Sequence, residues 1–138
     1  MLQSFKLMKR IYETGEDANS IVINVSVGTV GTAYSAVYLV RSGGQQTKLA
    51  ESNVSSGSIE KRKIGSAREL RNAYLQILTY IDFTSVNEKD RKSAIDNLSV
   101  RYIMSGGFSG HQIYNQDTDD TILMPNGKVM VTKPIELK

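Results

Sequence analysis

Residues 20–27, SIVINVSV, place an apolar side chain at every second position. The apolar face consists of Ile21, Ile23, Val25 and Val27, and the opposite face carries the polar residues of the stretch. A period of two residues is typical of a β-strand with one buried face. Residues 98–104, LSVRYIM, have the same period. These two stretches predict that β-strands dominate the fold.

Turn signals divide most of the remaining chain into further short strands. Glycines at 28 and 31 precede a predicted strand at 33–41, and the turn at 42–44 precedes another at 46–51, followed by a loop at 53–58. Gly106 and Gly107 precede a returning strand within 108–114, and the sequence PNG at 125–127 separates strands at 121–124 and 128–132. Because proline lacks an N–H group, Pro134 is expected to limit the last strand to an edge or an end.

About eight to ten short strands at this spacing favour an all-β fold, an antiparallel β-sandwich with one short surface helix. The helix is predicted within 87–97, where the spacing of Ser85 and Glu88 has the form of a capping box. No repeat or linker divides the chain, and its length of 138 residues fits one core. We therefore expect a single domain over residues 1–138.

The segment 66–83 satisfies two patterns at once. Ser66 and Glu69 have capping-box spacing, and apolar residues follow at helical intervals. The second half, YLQILTYIDF at 74–83, is instead dense in the aromatic and β-branched residues that strands favour. A helix over 66–83 would give an α+β fold with an antiparallel sheet. The short alternating runs on both sides favour the strand.

The composition excludes several kinds of site. The chain contains no cysteine, so it has no disulfide, no thiolate ligand and no cysteine nucleophile. With 17 basic and 14 acidic residues, the net charge is +3. The first ten residues lack the apolar stretch of a secretory signal, and no apolar run is long enough to cross a bilayer. We expect no membrane span. The sequence does not distinguish a cytoplasmic protein from an exported protein whose signal has been removed.

Few residues are candidates for catalysis or for binding a metal or cofactor. His111 is the only histidine, and because no nucleophile-elbow motif accompanies it, we expect a solvent-exposed hairpin residue. Asp117, Asp119 and Asp120 have the carboxylate density that calcium uses, but their spacing departs from a calcium loop and favours a solvated turn. The glycine clusters match no phosphate-binding motif. We therefore predict no catalytic residue, no metal and no cofactor.

One segment is unevenly charged. Its five basic residues are Lys61, Arg62, Lys63, Arg68 and Arg71. In a strand, neighbouring side chains lie on opposite faces, so this candidate binding patch would be split. Nucleic-acid binding needs several charges on one surface. The pattern therefore favours a solvated strand whose lysines block edge-to-edge pairing over contact with nucleic acid.

The sequence predicts a non-catalytic interaction or structural module rather than an enzyme. Its expected partner is another protein or a further copy of itself, bound through the loops or edges of the sandwich. The alternative is a basic nucleic-acid-binding domain that uses residues 61–71.

Overall fold

A computed structural model describes residues 10–117 and 120–138. The strands are β1 (Arg10–Tyr12), β2 (Ser20–Gly28), β3 (Thr32–Val40), β4 (Gln46–Glu51), β5 (Ile59–Ser66), β6 (Tyr74–Asp82), β7 (Ser99–Ser105), β8 (Gln112–Asn115), β9 (Thr121–Met124) and β10 (Lys128–Leu137). The helices are α1 (Ala67–Leu70) and α2 (Arg91–Asp96), with 3₁₀ turns at Glu88–Asp90 and Pro125–Gly127.

The strands form two sheets. Sheet A has the order β1-β10-β6-β3-β4, with β9 also paired to β10, and sheet B has the order β5-β2-β7-β8. Neighbouring strands are antiparallel except β1 and β10, which run parallel. The predicted all-β, sandwich-like fold with a small helical content is confirmed.

Inward-facing side chains from both sheets form one continuous core. Sheet A contributes Val37, Leu75, Ile77, Val131 and Ile135, all completely buried. Sheet B contributes Ile21, Ile23, Val25, Tyr102 and Met104, which are also completely buried. The two stretches of period two in the sequence are therefore β2 and β7, whose apolar faces cover sheet A. No helix in the described ranges is long and apolar enough to span a membrane.

Both patterns in the segment 66–83 are present, in different places. The Ser66 hydroxyl accepts a hydrogen bond from the Glu69 N–H, and the Glu69 carboxylate accepts one from the Ser66 N–H. This capping box begins the single turn α1, and an extended Arg71 ends it. From Tyr74 the chain continues as the central strand β6. The strand interpretation is confirmed for residues 74–82 and is wrong for residues 67–70, where the capping box begins a helical turn. Burial of β6 between β10 and β3 favours the aromatic and β-branched residues of the second half.

The short surface helix after β6 is confirmed at 88–96, within the predicted range 87–97, but it does not begin with the predicted capping box. Asn87 precedes the first helical turn and its side chain makes no capping hydrogen bond. Ser85 and Glu88 therefore form no capping box. The helix continues as α2, from which Ala94 and Ile95 pack against the core.

The prediction for Pro134 is wrong, since β10 continues through it to Leu137 and lies between other strands. The Leu137 N–H bonds to Ala73 beside β6, and the Lys138 N–H bonds to Tyr12 of β1. Alternation along the strand therefore turns the Pro134 nitrogen away from β6. On that side β9 pairs only with 128–131 and β1 only with 135–137. Proline is tolerated because it lies at the gap between β9 and β1, where no N–H is required.

Candidate functional site

A lysine occupies an inward position in the middle of β10. The inward row of this strand reads Val129, Val131, Lys133, Ile135 and Leu137, and every member is buried. The relative exposure of Lys133 is 0%. Because a buried ammonium group is strongly destabilising without a partner, the row requires a compensating negative charge nearby.

Two carboxylates supply that charge. The Lys133 Nζ lies 2.8 Å from Asp117 Oδ2 and 2.7 Å from Asp120 Oδ2. Arg10 contacts Asp117 from the other side and donates to both of its carboxylate oxygens, at 3.0 and 2.8 Å. The four side chains form an electrically balanced group, which we call the Lys133 cluster: Arg10, Asp117, Asp120 and Lys133.

The turn between β8 and β9 fixes the two aspartates. The Asp117 N–H donates to Asp120 Oδ2 at 2.7 Å, and the Asp120 N–H donates to the Asp117 carbonyl at 3.0 Å. Asp120 Oδ2 therefore has both a backbone N–H and the Lys133 ammonium within hydrogen-bond distance. The Asp120 side chain is 10% exposed and that of Lys133 is 1% exposed, so their contact is shielded from solvent.

Tyr102 of sheet B covers the cluster from across the core. The Lys133 Nζ lies 5.9 Å from the centre of the Tyr102 ring. The Tyr102 hydroxyl is buried and, among the described residues, has no hydrogen-bond partner. Burial raises the pKa of Tyr102, and the negative charges of Asp120 and Asp117 raise it further. A neutral phenol donor therefore lies in the field of the two carboxylates.

The electrostatics of Asp117 combine two opposing effects. Burial raises the pKa of this carboxyl, whereas the hydrogen bond and charge of Lys133, followed by those of Arg10, lower it. The cations dominate, so the pKa of Asp117 is below its usual value. Asp117 is therefore ionised at neutral pH and can accept a hydrogen bond or a proton.

The predicted solvated aspartate turn is wrong for Asp120, which is buried against Lys133. Asp119 lies outside the described residues. Within the ranges 10–117 and 120–138 no group of three or more histidine, aspartate or glutamate side chains is placed to hold a metal ion. His111 lies in the connection from β7 to β8 and is exposed, as predicted.

The structure separates the predicted basic patch into two groups. Lys61, Arg62 and Lys63 are all exposed on β5, an edge strand of sheet B. The pairing of β5 with β2 is irregular here, and Lys61 has a φ of 31°. Such irregularities interrupt the regular alternation of side chains between the two faces of a strand. The three basic side chains are therefore all exposed along this edge of sheet B.

Arg68 and Arg71 lie at the other end of the segment and contact Glu16. Arg71 forms an ion pair with the Glu16 carboxylate at 3.0 Å, and the Arg68 Nε lies 3.5 Å from its carbonyl oxygen. Arg71 also lines a groove of about 810 Å³ together with Arg10, Arg41 and Lys138. The basic side chains that share a concave surface are thus mostly different from those the sequence indicated.

A second candidate surface lies at the edge strand β9. Ile122, Leu123 and Met124 are 44%, 69% and 38% exposed. Ile122 is paired with Met130, and Met130 with Tyr80 on β6. Paired residues share a face of the sheet, so an apolar row extends inward from the edge. Leu123 pairs with the buried Val129 and therefore lies on the opposite face of β9. We call the edge strand and the apolar row beside it the β9 surface: Tyr80, Ile122, Leu123, Met124 and Met130.

Sequence reasoning did not single out Lys133, although one signal was present. The apolar residues at 129, 131, 135 and 137 fall on one face of a strand, and the only interruption is a lysine. A cation in such a row predicts a buried counter-charge, but the pattern does not identify the carboxylate that supplies it.

Comparison with protein-family models, with curated proteins and with solved structures found no match. The chemistry of the Lys133 cluster and of the β9 surface is therefore inferred from the residues themselves.

Proposed function

We propose that the chain is a non-catalytic interaction module that binds protein through the β9 surface, in the first instance a second copy of itself. One observation carries this proposal: among the residues that the structure describes, β9 is an edge strand with three consecutive exposed apolar side chains. Unpaired strand edges are sites where a further strand adds, with main-chain hydrogen bonds supplying affinity and side chains supplying specificity.

A comparison of the edge strands supports the choice of β9. The edge strand β5 presents the charged residues 60–63, and β4, at the far edge of sheet A, begins with Gln46, Thr47 and Lys48. Charged and polar side chains of this kind oppose edge-to-edge pairing. The sequence of β9, TILM, contains no charge and no proline. Among the edges in the described ranges, β9 has the greatest exposure of consecutive apolar side chains.

The neighbouring face of sheet A extends this surface. Tyr34 and Tyr80 are directly paired on β3 and β6 and are 37% and 42% exposed. The Tyr34 hydroxyl donates to Glu51 at 2.5 Å, which orients its ring at the far border of the row. Tyrosine is enriched at protein interfaces because its ring contributes apolar area and its hydroxyl contributes a hydrogen bond.

Pairing of two β9 strands about a two-fold axis is the simplest form of this interaction. In such an interface each residue contacts the corresponding surface of the partner, so one apolar edge is sufficient for both copies. The same edge would accept an extended segment of another protein, which is the other form of partner that the sequence predicts.

Sedimentation velocity over a series of protein concentrations tests the proposal. We expect reversible self-association of the native chain, weakened at least about tenfold by Leu123→Lys, since a twofold interface brings both introduced charges together. Phe108→Lys is the matched control, because Phe108 is 80% exposed but lies outside the β9 surface. A native chain that stays monomeric at every concentration would contradict self-association, and so would equal weakening by the two substitutions.

A further inference from the structure

We propose that Lys133 and Asp120 condense to an amide, which cross-links β10 to the turn that precedes β9. This inference does not depend on the proposed protein-binding role. It rests on the position of a completely buried primary amine between two carboxylates, opposite a buried phenol without a partner among the described residues.

The geometry brings the reacting atoms together. The Lys133 nitrogen lies 2.7 Å from Asp120 Oδ2, and the carboxyl carbon is one bond farther on. Atoms about 3–3.5 Å apart in a fixed orientation are close to an attack geometry. The row of buried residues on β10 holds the amine, and the Asp117 N–H holds the carboxylate. Both partners are therefore positioned before any reaction.

The surroundings favour the neutral product over the ion pair. Separated charges are strongly disfavoured in an apolar, water-excluded site. An amide between Lys133 and Asp120 removes one positive and one negative charge from the core. Asp117 keeps its ion pair with Arg10, whose carboxylate contacts are 3.0 and 2.8 Å. The remaining charges therefore stay balanced.

Asp120 and Asp117 each accept one proton from Lys133 during the condensation. The Lys133 ammonium first gives one proton to the Asp120 carboxylate, leaving a neutral amine and a neutral carboxyl group. The nitrogen electron pair then forms the bond to the Asp120 carbon. The transferred proton lies on Oδ2, so negative charge develops on Oδ1, while the Asp117 N–H, which donates to Oδ2 at 2.7 Å, orients the oxygen that departs.

Asp117 completes the exchange. Its ionised carboxylate, 2.8 Å from the Lys133 nitrogen, accepts a proton from the attacking amine and passes it to the departing hydroxyl oxygen. The carbon–oxygen bond breaks with its electron pair on that oxygen, and one water molecule leaves. The sum is one ammonium and one carboxylate giving one amide and one water, so no oxidant or other reactant is needed.

Intact mass measurement of the purified native chain tests the proposal. We expect a species lighter than the sequence by one water molecule, and we expect Lys133→Arg to restore the full mass while keeping the positive charge. A native chain of full mass would overturn the proposal without any variant having to fold. A loss of water that persists in Lys133→Arg would also overturn it, because cyclisation of an aspartate to a succinimide needs no lysine.

Fragmentation after trypsin locates the bond. Cleavage after Arg101 and Lys128 gives peptides 102–128 and 129–138, since Lys133 precedes a proline and is not cut. The cross-linked pair has the same mass as an uncut 102–138 peptide, so fragment ions must show a branch between Lys133 and Asp120. A branch elsewhere would overturn the assignment. The exposed ion pair of Lys92 and Asp96, at 3.1 Å, is the internal control and should remain unreacted.

Discussion

Two buried tyrosines differ in whether their hydroxyl groups are hydrogen-bonded, so substitution by phenylalanine should change the free energy of unfolding in opposite directions. Tyr12 and Tyr102 are both completely buried. The Tyr12 hydroxyl donates to the Gly110 carbonyl at 2.6 Å and accepts from the Gly107 N–H at 2.9 Å. The Tyr102 hydroxyl has neither kind of partner in the described part of the chain. Replacement by phenylalanine removes the hydroxyl and keeps the ring in both cases.

The expected magnitudes follow from the cost of an unsatisfied buried group. Tyr102→Phe removes a hydroxyl that was desolvated without compensation, so the free energy of unfolding should rise by about 1 kcal/mol or more. Tyr12→Phe leaves two backbone groups without a partner, and the free energy of unfolding should fall by about 1–3 kcal/mol. Urea denaturation of the three proteins measures both changes. Destabilisation of similar size in both variants would refute the reasoning.

Four further predictions concern the cluster, a glycine and the basic segment. Lys133→Met removes the partner of Asp120, whether amine or amide, and leaves a buried carboxylate without a counter-charge, so it should destabilise the chain by about 3–5 kcal/mol in urea denaturation. The pKa of Asp117 is lower in the folded chain than in the unfolded chain, where it is about 3.9. Ionised Asp117 therefore stabilises the folded chain fully above about pH 3.9, and this stabilisation is lost as the pH falls through the lower folded pKa. Urea denaturation midpoints measured against pH test this dependence. Gly106→Ala should cost about 3 kcal/mol or more, since its Cβ would clash with the Ser20 carbonyl oxygen. Gly43→Ala, at the same φ of 95° but in open space, should cost about 1–2 kcal/mol. Substitution of all five basic residues of 61–71 by glutamine should leave the fluorescence anisotropy of a labelled oligonucleotide unchanged and should increase self-association in sedimentation. If the native chain instead binds the oligonucleotide in a salt-sensitive way and the variant does not, the nucleic-acid alternative is favoured.

Much of the fold could be predicted because each sheet has one buried face. The period of two residues in β2 and β7 identifies the inward side chains directly. The turn signals place β3 and β4 to within a residue of their observed bounds. The segment 66–83 was ambiguous because two real signals, a capping box and a buried strand, lie next to each other in it. Local sequence patterns predict the helical turn and the strand separately, but they do not identify the residue at which the helix ends and the strand begins.

The candidate sites depend on contacts between distant residues. Arg10 and Asp117 are separated by 107 positions, and no local pattern relates them. The β9 surface was likewise not visible as a patch, because its row includes Tyr80 from a strand paired through β10. Pro134 was misjudged for the same reason, since the gap that tolerates it lies between β9 and the distant β1.

Hydrogen exchange of the β9 amides at low and high protein concentration tests the proposed function most directly. Pairing through this edge predicts slower exchange in Thr121–Met124 at high concentration and unchanged exchange in Gln112–Asn115, the short edge strand β8 of sheet B. Exchange in β9 that does not depend on concentration, or protection that appears at β8 instead, would contradict the assignment of β9 as the binding edge.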